Sequence, residues 1–106
     1  MSQSQYPKNY KWLTTRFKKV LDAHQNLGKE LQDAGPLDNK TAHLIKLAGA
    51  AANQSEGSVH SHTKRAIEAG ASAEEIYHCL ILLTSTIGFP NSAAALSWAR
   101  EIIEKG

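Results

Sequence analysis

Ser55, Glu56, Ser58, His60 and His62 set five polar, proton-handling side chains within eight residues. On a helix, Ser55, Ser58 and His62 fall at i, i+3 and i+7 along one stripe, and Glu56 and His60 at i and i+4 along a second. The unperturbed pKa of an imidazole lies close to neutrality, so His62 can take or give a proton at working pH and is the first candidate acid or base. Ser58, one turn earlier, can orient that ring or bind a substrate oxygen. Two neighbours on one helix lack the in-line geometry that acyl transfer needs, and a packed face in which they simply bond each other is the structural alternative. Glu56 and His60 could form an acid–base dyad, or an exposed pair at a helix N-terminus where the macrodipole favours the carboxylate. His60 and His62 point roughly 160° apart around a helix and cannot share a metal. No other spacing of His, Cys or carboxylates makes a metal site, so no metal and no cofactor is expected.

Other reactive types read as structural. His24 lies on an apolar stripe with Leu21, Leu27 and Leu31, which predicts partial burial, and His78 precedes Cys79 in a strongly apolar segment. Cys79 is the single cysteine, and a buried lone thiol behaves mostly as a small hydrophobe unless exposure and a lowered pKa activate it. Trp12 and Trp98 are expected as core or interface anchors.

These side chains need helices to position them, and the chain divides at Gly and Pro into five segments with helical period. The first runs from about Lys8 to Ala34, with Pro7 where a helix can begin. Gly35-Pro36 stops it. Asp38 then caps a second helix to about Ala52, whose small residues Ala48 to Ala52 permit close approach to a neighbour. The third runs from Ser55 to Gly70. Ser72 and Glu75 have capping-box spacing for a fourth from Ala73 to Ile87, and Asn91 or Ser92 caps a fifth to the C-terminus. No segment alternates as a strand does, so the fold class is all-α, a compact bundle of about five helices. The fourth segment carries Ile76, Tyr77, Leu80, Ile81, Leu82, Leu83 and Ile87, so it must be covered all round. A subunit interface does that most easily, which predicts a homo-oligomer with closed symmetry.

A chain of 106 residues with 42% hydrophobic content fits one domain, residues 8–106, behind a flexible 1–7. The net charge of +2 favours no partner class. Lys8, Lys11, Arg16, Lys18 and Lys19 cluster at helical spacing as a solvated face without an aromatic platform, so no nucleic acid is expected. A lone cysteine, with no signal peptide and no apolar run of transmembrane length, predicts a cytoplasmic protein with no membrane partner.

The segment Ser55 to Gly70 also resembles the carboxymuconolactone decarboxylase and alkylhydroperoxidase-D-like family. Its redox members read C-x-x-C-x-x-x-H, and here Ser55 and Ser58 stand at the cysteine positions and His62 at the histidine. Ala34-Gly35-Pro36-Leu37-Asp38, Gly70-Ala71-Ser72-Ala73-Glu74-Glu75-Ile76 and Ile87-Gly88-Phe89-Pro90 extend the resemblance over most of the chain from about Phe17. Redox relatives carry a Glu twelve residues before the first motif cysteine, and His43 holds that position here. Three coupled parts of a peroxidase are therefore replaced together, which implies a different chemistry or a lost one. A hydrogen-bonded His43 above Leu47 is the plain alternative.

The resemblance implies an obligate helical oligomer, a trimer or hexamer, with sites near subunit contacts. It further implies cofactor-free decarboxylation or double-bond migration on a small organic carboxylate or lactone. His62 would move the proton, Ser58, Ser55 and His43 would hold substrate, and Glu56 or His60 would assist. Two other classes stand beside it: a peroxidase-linked protein using Cys79 or a partner thiol, and a non-catalytic oligomeric binding module.

Overall fold

A computed structural model describes residues 5–105, with side chains from Lys8 onward. The described residues form seven helices and no strand, and the chain divides into two compact units that meet at Pro36–Leu37, where the sequence predicts one domain from Lys8. Residues 1–4 of the expected flexible N-terminus lie outside the described residues. No helix among the described residues is long and apolar enough to cross a membrane.

The first unit contains α1 (Gln5–Arg16) and α2 (Lys18–Asp33), which corrects the single long helix expected there. The break falls at Phe17, whose φ of −127° and ψ of 48° leave the helical region. Its ring meets Trp12 edge-on at 5.8 Å between centroids, and the Arg16 guanidinium lies 5.3 Å above it. Gln25 Nε2 donates to Tyr10 Oη at 3.2 Å, so α1 turns back along α2. In one straight helix those residues would stand more than about 20 Å apart. His24 is exposed on α2, contrary to its expected burial, as are Val20, Leu27 and Leu31.

The second unit holds α3 (Asn39–Ala52), α4 (Glu56–Glu68), α5 (Ala73–Ile81), α6 (Thr84–Ile87) and α7 (Phe89–Lys105). Asp38 caps α3 by accepting Thr41 N–H at 2.7 Å. Ser72 and Glu75 form the expected capping box on α5, at 3.1 and 2.9 Å, and Lys40 Nζ reaches the second Glu75 oxygen at 2.8 Å. The core is built from Leu47, Ala50 and Ala51 of α3, Val59 and Ala66 of α4, Ile76 and Leu80 of α5, and Ala95, Ala99 and Ile102 of α7. Alanine at so many contacts lets the helix axes approach closely.

The expected fourth helix ends early, at Ile81. Buried Ser92 ties α7 to this break, because its hydroxyl donates to the Leu80 carbonyl at 2.6 Å, beside the Leu83 N–H that the same oxygen accepts at 3.2 Å. Ser92 and Asn91 therefore lie inside α7 and do not cap it; Asn91 Nδ2 donates to Ile87 O at 3.0 Å. Gly88, at φ 90°, makes the turn into α7, and Pro90 sits in that helix's first turn, where no N–H is needed. Within the single chain Ile81 and Leu82 of this apolar segment are exposed.

Candidate functional site

The α3–α4 corner puts the candidate residues in place. Gln54 takes a left-handed φ of 55°, and Ser55 N donates to Ala50 O while Gln54 N donates to Ala51 O, so α3 ends in a Schellman turn. The chain reverses there, and α4 runs back against α3 and packs on its other side against α7. Ser55 is the N-cap of α4, its hydroxyl oxygen accepting Ser58 N–H at 3.3 Å. That leaves the Ser55 O–H free as a donor. Glu56 and Ser58 lie half-buried in the first turn.

The two histidines two residues apart serve opposite sides of α4. His60 is buried, and its Nε2 stands 3.0 Å from Glu101 Oε2 on α7. The carboxylate at hydrogen-bond distance is thus Glu101, 41 residues away, and not one that helical spacing from His60 would find. His62 faces the α3 side, where His43 acts on it and both feel Lys46 and Arg65. His43 and His62 are half-buried, and the Nδ1 atom of each is buried without a hydrogen-bond partner. Thr63 beside His62 is fully buried, and its hydroxyl is likewise unpartnered.

Burial is the main cause that holds both imidazoles below the ordinary histidine value. Arg65 and Lys46 push His62 further down, with a smaller contribution from His43; Lys46 and then Arg65 do the same for His43, against a partial offset from Glu68. At neutral pH both rings are therefore neutral, the form in which one nitrogen of each carries a basic lone pair. Two neutral imidazoles on facing helices can take a proton and return one. Among the described residues no group of three or more His, Cys, Asp or Glu side chains could hold a metal ion.

Two surface grooves lie elsewhere on this unit. One, of about 390 Å³, runs between α3 and α5 and includes Thr41, Leu44, Glu75, His78 and Cys79. The other, of about 490 Å³, lies between α5 and α7 beside Tyr77, Phe89 and Arg100. Neither is lined by any of Ser55, Glu56, Ser58, His60, His62 or His43. Cys79 is half-buried, its Sγ donating to Leu44 O at 3.4 Å, and burial raises its pKa. The two conditions for an activated thiol, exposure and a lowered pKa, are both unmet.

Sequence reasoning passed over Glu101, Lys46 and Arg65. Nothing local points from His60 to Glu101. Lys46 and Arg65, however, each follow a histidine by three residues, His43-x-x-Lys46 and His62-x-x-Arg65, and that repeated spacing is a signal the sequence does contain.

Residues 17–101 match the model of the carboxymuconolactone decarboxylase family. The crystal structure of an apo carboxymuconolactone decarboxylase family protein from Legionella pneumophila is similar, with a TM-score of 0.79 and 24% sequence identity over 93% of this chain and 91% of that one. No curated protein sequence matches the chain.

Proposed function

The chain belongs to the carboxymuconolactone decarboxylase family, and from that premise we propose that it catalyses cofactor-free proton transfer, a decarboxylation or isomerisation, on a small organic acid or lactone. One observation carries this reading: two imidazoles in their basic form stand on facing helices, each with a buried ring nitrogen that no protein group satisfies. Unsatisfied buried nitrogens are costly to fold unless a bound molecule completes them.

In isomerisation, His62 removes a proton from carbon beside a carbonyl, the C–H pair moves into the conjugated system, and the proton returns at a second carbon. In decarboxylation, the C–C bond to the carboxylate breaks, its pair enters the same conjugated system, carbon dioxide leaves, and neutral His62 or His43 gives the proton of its ring N–H to carbon while its other nitrogen takes one from water. Ser58 and the free O–H of Ser55 hold substrate oxygens. Glu56 assists, while His60 is occupied by Glu101.

Proton NMR in heavy water, with a panel of unsaturated lactones and keto acids, tests the reading. Conversion or carbon-bound hydrogen exchange is expected in the wild type and should fall by about 10²- to 10⁴-fold in His62→Ala, the usual range for a lost acid or base. Exchange at the wild-type rate in His62→Ala would sink the assignment, and inactivity across the panel would favour a binding module.

Self-assembly belongs to the same reading. Ile45 and Leu82, 53 and 60% exposed, line one groove between α3 and α5, and a contiguous apolar face of this kind marks a contact with a partner. Sedimentation equilibrium should give a multiple of the 11.6 kDa chain mass, and a monomer at micromolar concentration would contradict it.

A further inference from the structure

We propose that Lys46 and Arg65, each one turn beyond a site histidine, hold the carboxylate of the substrate, so that the site takes a small organic anion and rejects its neutral ester. The inference rests on reading His43 and His62 as the site. Its first support is geometric. Positions i and i+3 share a helix face, so Lys46 stands on the His43 face of α3 and Arg65 on the His62 face of α4, and these two helices pack against each other.

The second support is that the cations are uncommitted. The ion pairs among the described residues use Lys18, Lys40, His60 and Arg100, and neither Lys46 nor Arg65 bonds a carboxylate. Among the described residues Glu68 is the one acidic group that acts on either histidine, and it acts on His43 alone. Because the imidazoles are neutral, the two cations set the charge of the site. Each neutral ring also has one N–H to donate to a carboxylate oxygen, and an arginine fork suits that group.

A dipole-neutralising role would account for Arg65 in the last turn of α4, but not for Lys46 in the body of α3. At the other end of α4, Ser55 already takes the Ser58 N–H. An incoming carboxylate meets full positive charges at Lys46 and Arg65, against the partial charge of that N-terminus.

Histidine-ring nitrogen–proton correlation spectra, titrated with levulinate and with methyl levulinate, test the proposal without requiring turnover. Levulinate should move the His43 and His62 resonances saturably and the ester should not. Lys46→Gln and Arg65→Gln should each weaken levulinate by about tenfold, the size of one charge-assisted bond, while Lys46→Arg retains it. Amide spectra of each variant verify the fold. Equal binding of acid and ester, wild-type affinity in both Gln variants, or no saturable shift with levulinate would overturn the anion site. Saturable levulinate binding without any hydrogen exchange would overturn only the catalytic reading, and exchange at wild-type KM in Lys46→Gln and Arg65→Gln would overturn only this one.

Discussion

Buried His60 holds Glu101 at 3.0 Å across the α4–α7 contact, while the carboxylate itself remains 49% exposed. Burying the imidazole needs a partner, and Glu101 supplies it from the solvent side. Replacing the ring leaves a void in the α4–α7 packing, so His60→Ala should cost about 2–3 kcal/mol in urea unfolding. Glu101→Gln keeps a polar partner at the same place, and should cost about 1 kcal/mol or less because the group is half in water. If the pair serves packing, Glu101→Gln also leaves hydrogen exchange on substrate unchanged. A large loss of exchange with full stability would return His60 to the chemistry.

Stability should fall as pH drops below the histidine range. His43 and His62 have folded pKa values below the ordinary 6.5, whereas the unfolded chain titrates near it. Above that pH both states are neutral and the rings contribute nothing. Below it the unfolded chain binds protons that the folded chain refuses, so unfolding free energy declines until the folded values are passed and then levels. Urea unfolding between pH 8 and 5 should show this decline, and His43→Asn with His62→Asn should flatten it. An unaltered slope in the double variant would exclude these rings as its source. Catalysis needs the same neutral form, so any exchange activity should persist to a pH below 6.5 before it fades.

The parts of this molecule legible in the sequence are those whose causes are local. Asp38 before α3, Ser72 with Glu75, and the Ala-rich stretch of α3 announce themselves within four or five residues, because caps and close helix contacts depend on neighbours in sequence. The break at Phe17 and the end of α5 at Ile81 were hidden for the opposite reason. Both segments have helical period throughout, and the contacts that accompany the breaks come from further along the chain: Gln25 reaching back fifteen residues to Tyr10, and the Ser92 hydroxyl reaching back twelve to Leu80. Within the site, the motif on α4 was readable, as was His43 through the family spacing. That His60 and His62 divide between α7 and α3 needed the positions of both neighbouring helices.

Helices α3 and α4 end in the same kind of turn with different residues in the left-handed position. Gly70, at φ 99°, closes α4, with Ala71 N donating to Ala66 O and Gly70 N to Ile67 O; Gln54, at φ 55°, closes α3. A side chain pays a steric penalty there that glycine avoids, partly offset by the greater freedom glycine has when unfolded. Gly70→Ala should therefore destabilise by about 1 kcal/mol, and Gln54→Gly should stabilise by a few tenths to about 1 kcal/mol. Thermal unfolding measures both. A destabilised Gln54→Gly would mean that the Gln54 side chain contributes more than its backbone costs.

Cys79 should be a poor nucleophile. A thiol reacts as the thiolate, and burial raises this one above the ordinary thiol value while its proton is directed at Leu44 O. At pH 7.5 its reaction with a disulfide reagent should be at least about tenfold slower than that of a free thiol, which is already only partly ionised there. Peroxide consumption should be undetectable in the wild type and unchanged in Cys79→Ser. Removing the sulfur should cost the fold only about 1 kcal/mol, since the residue is half-buried and its bond to Leu44 O is long. Peroxide turnover that vanishes in Cys79→Ser would reinstate the thiol reading. It would also require the α3–α5 contact to open in solution, because the sulfur must leave the Leu44 carbonyl before it can attack.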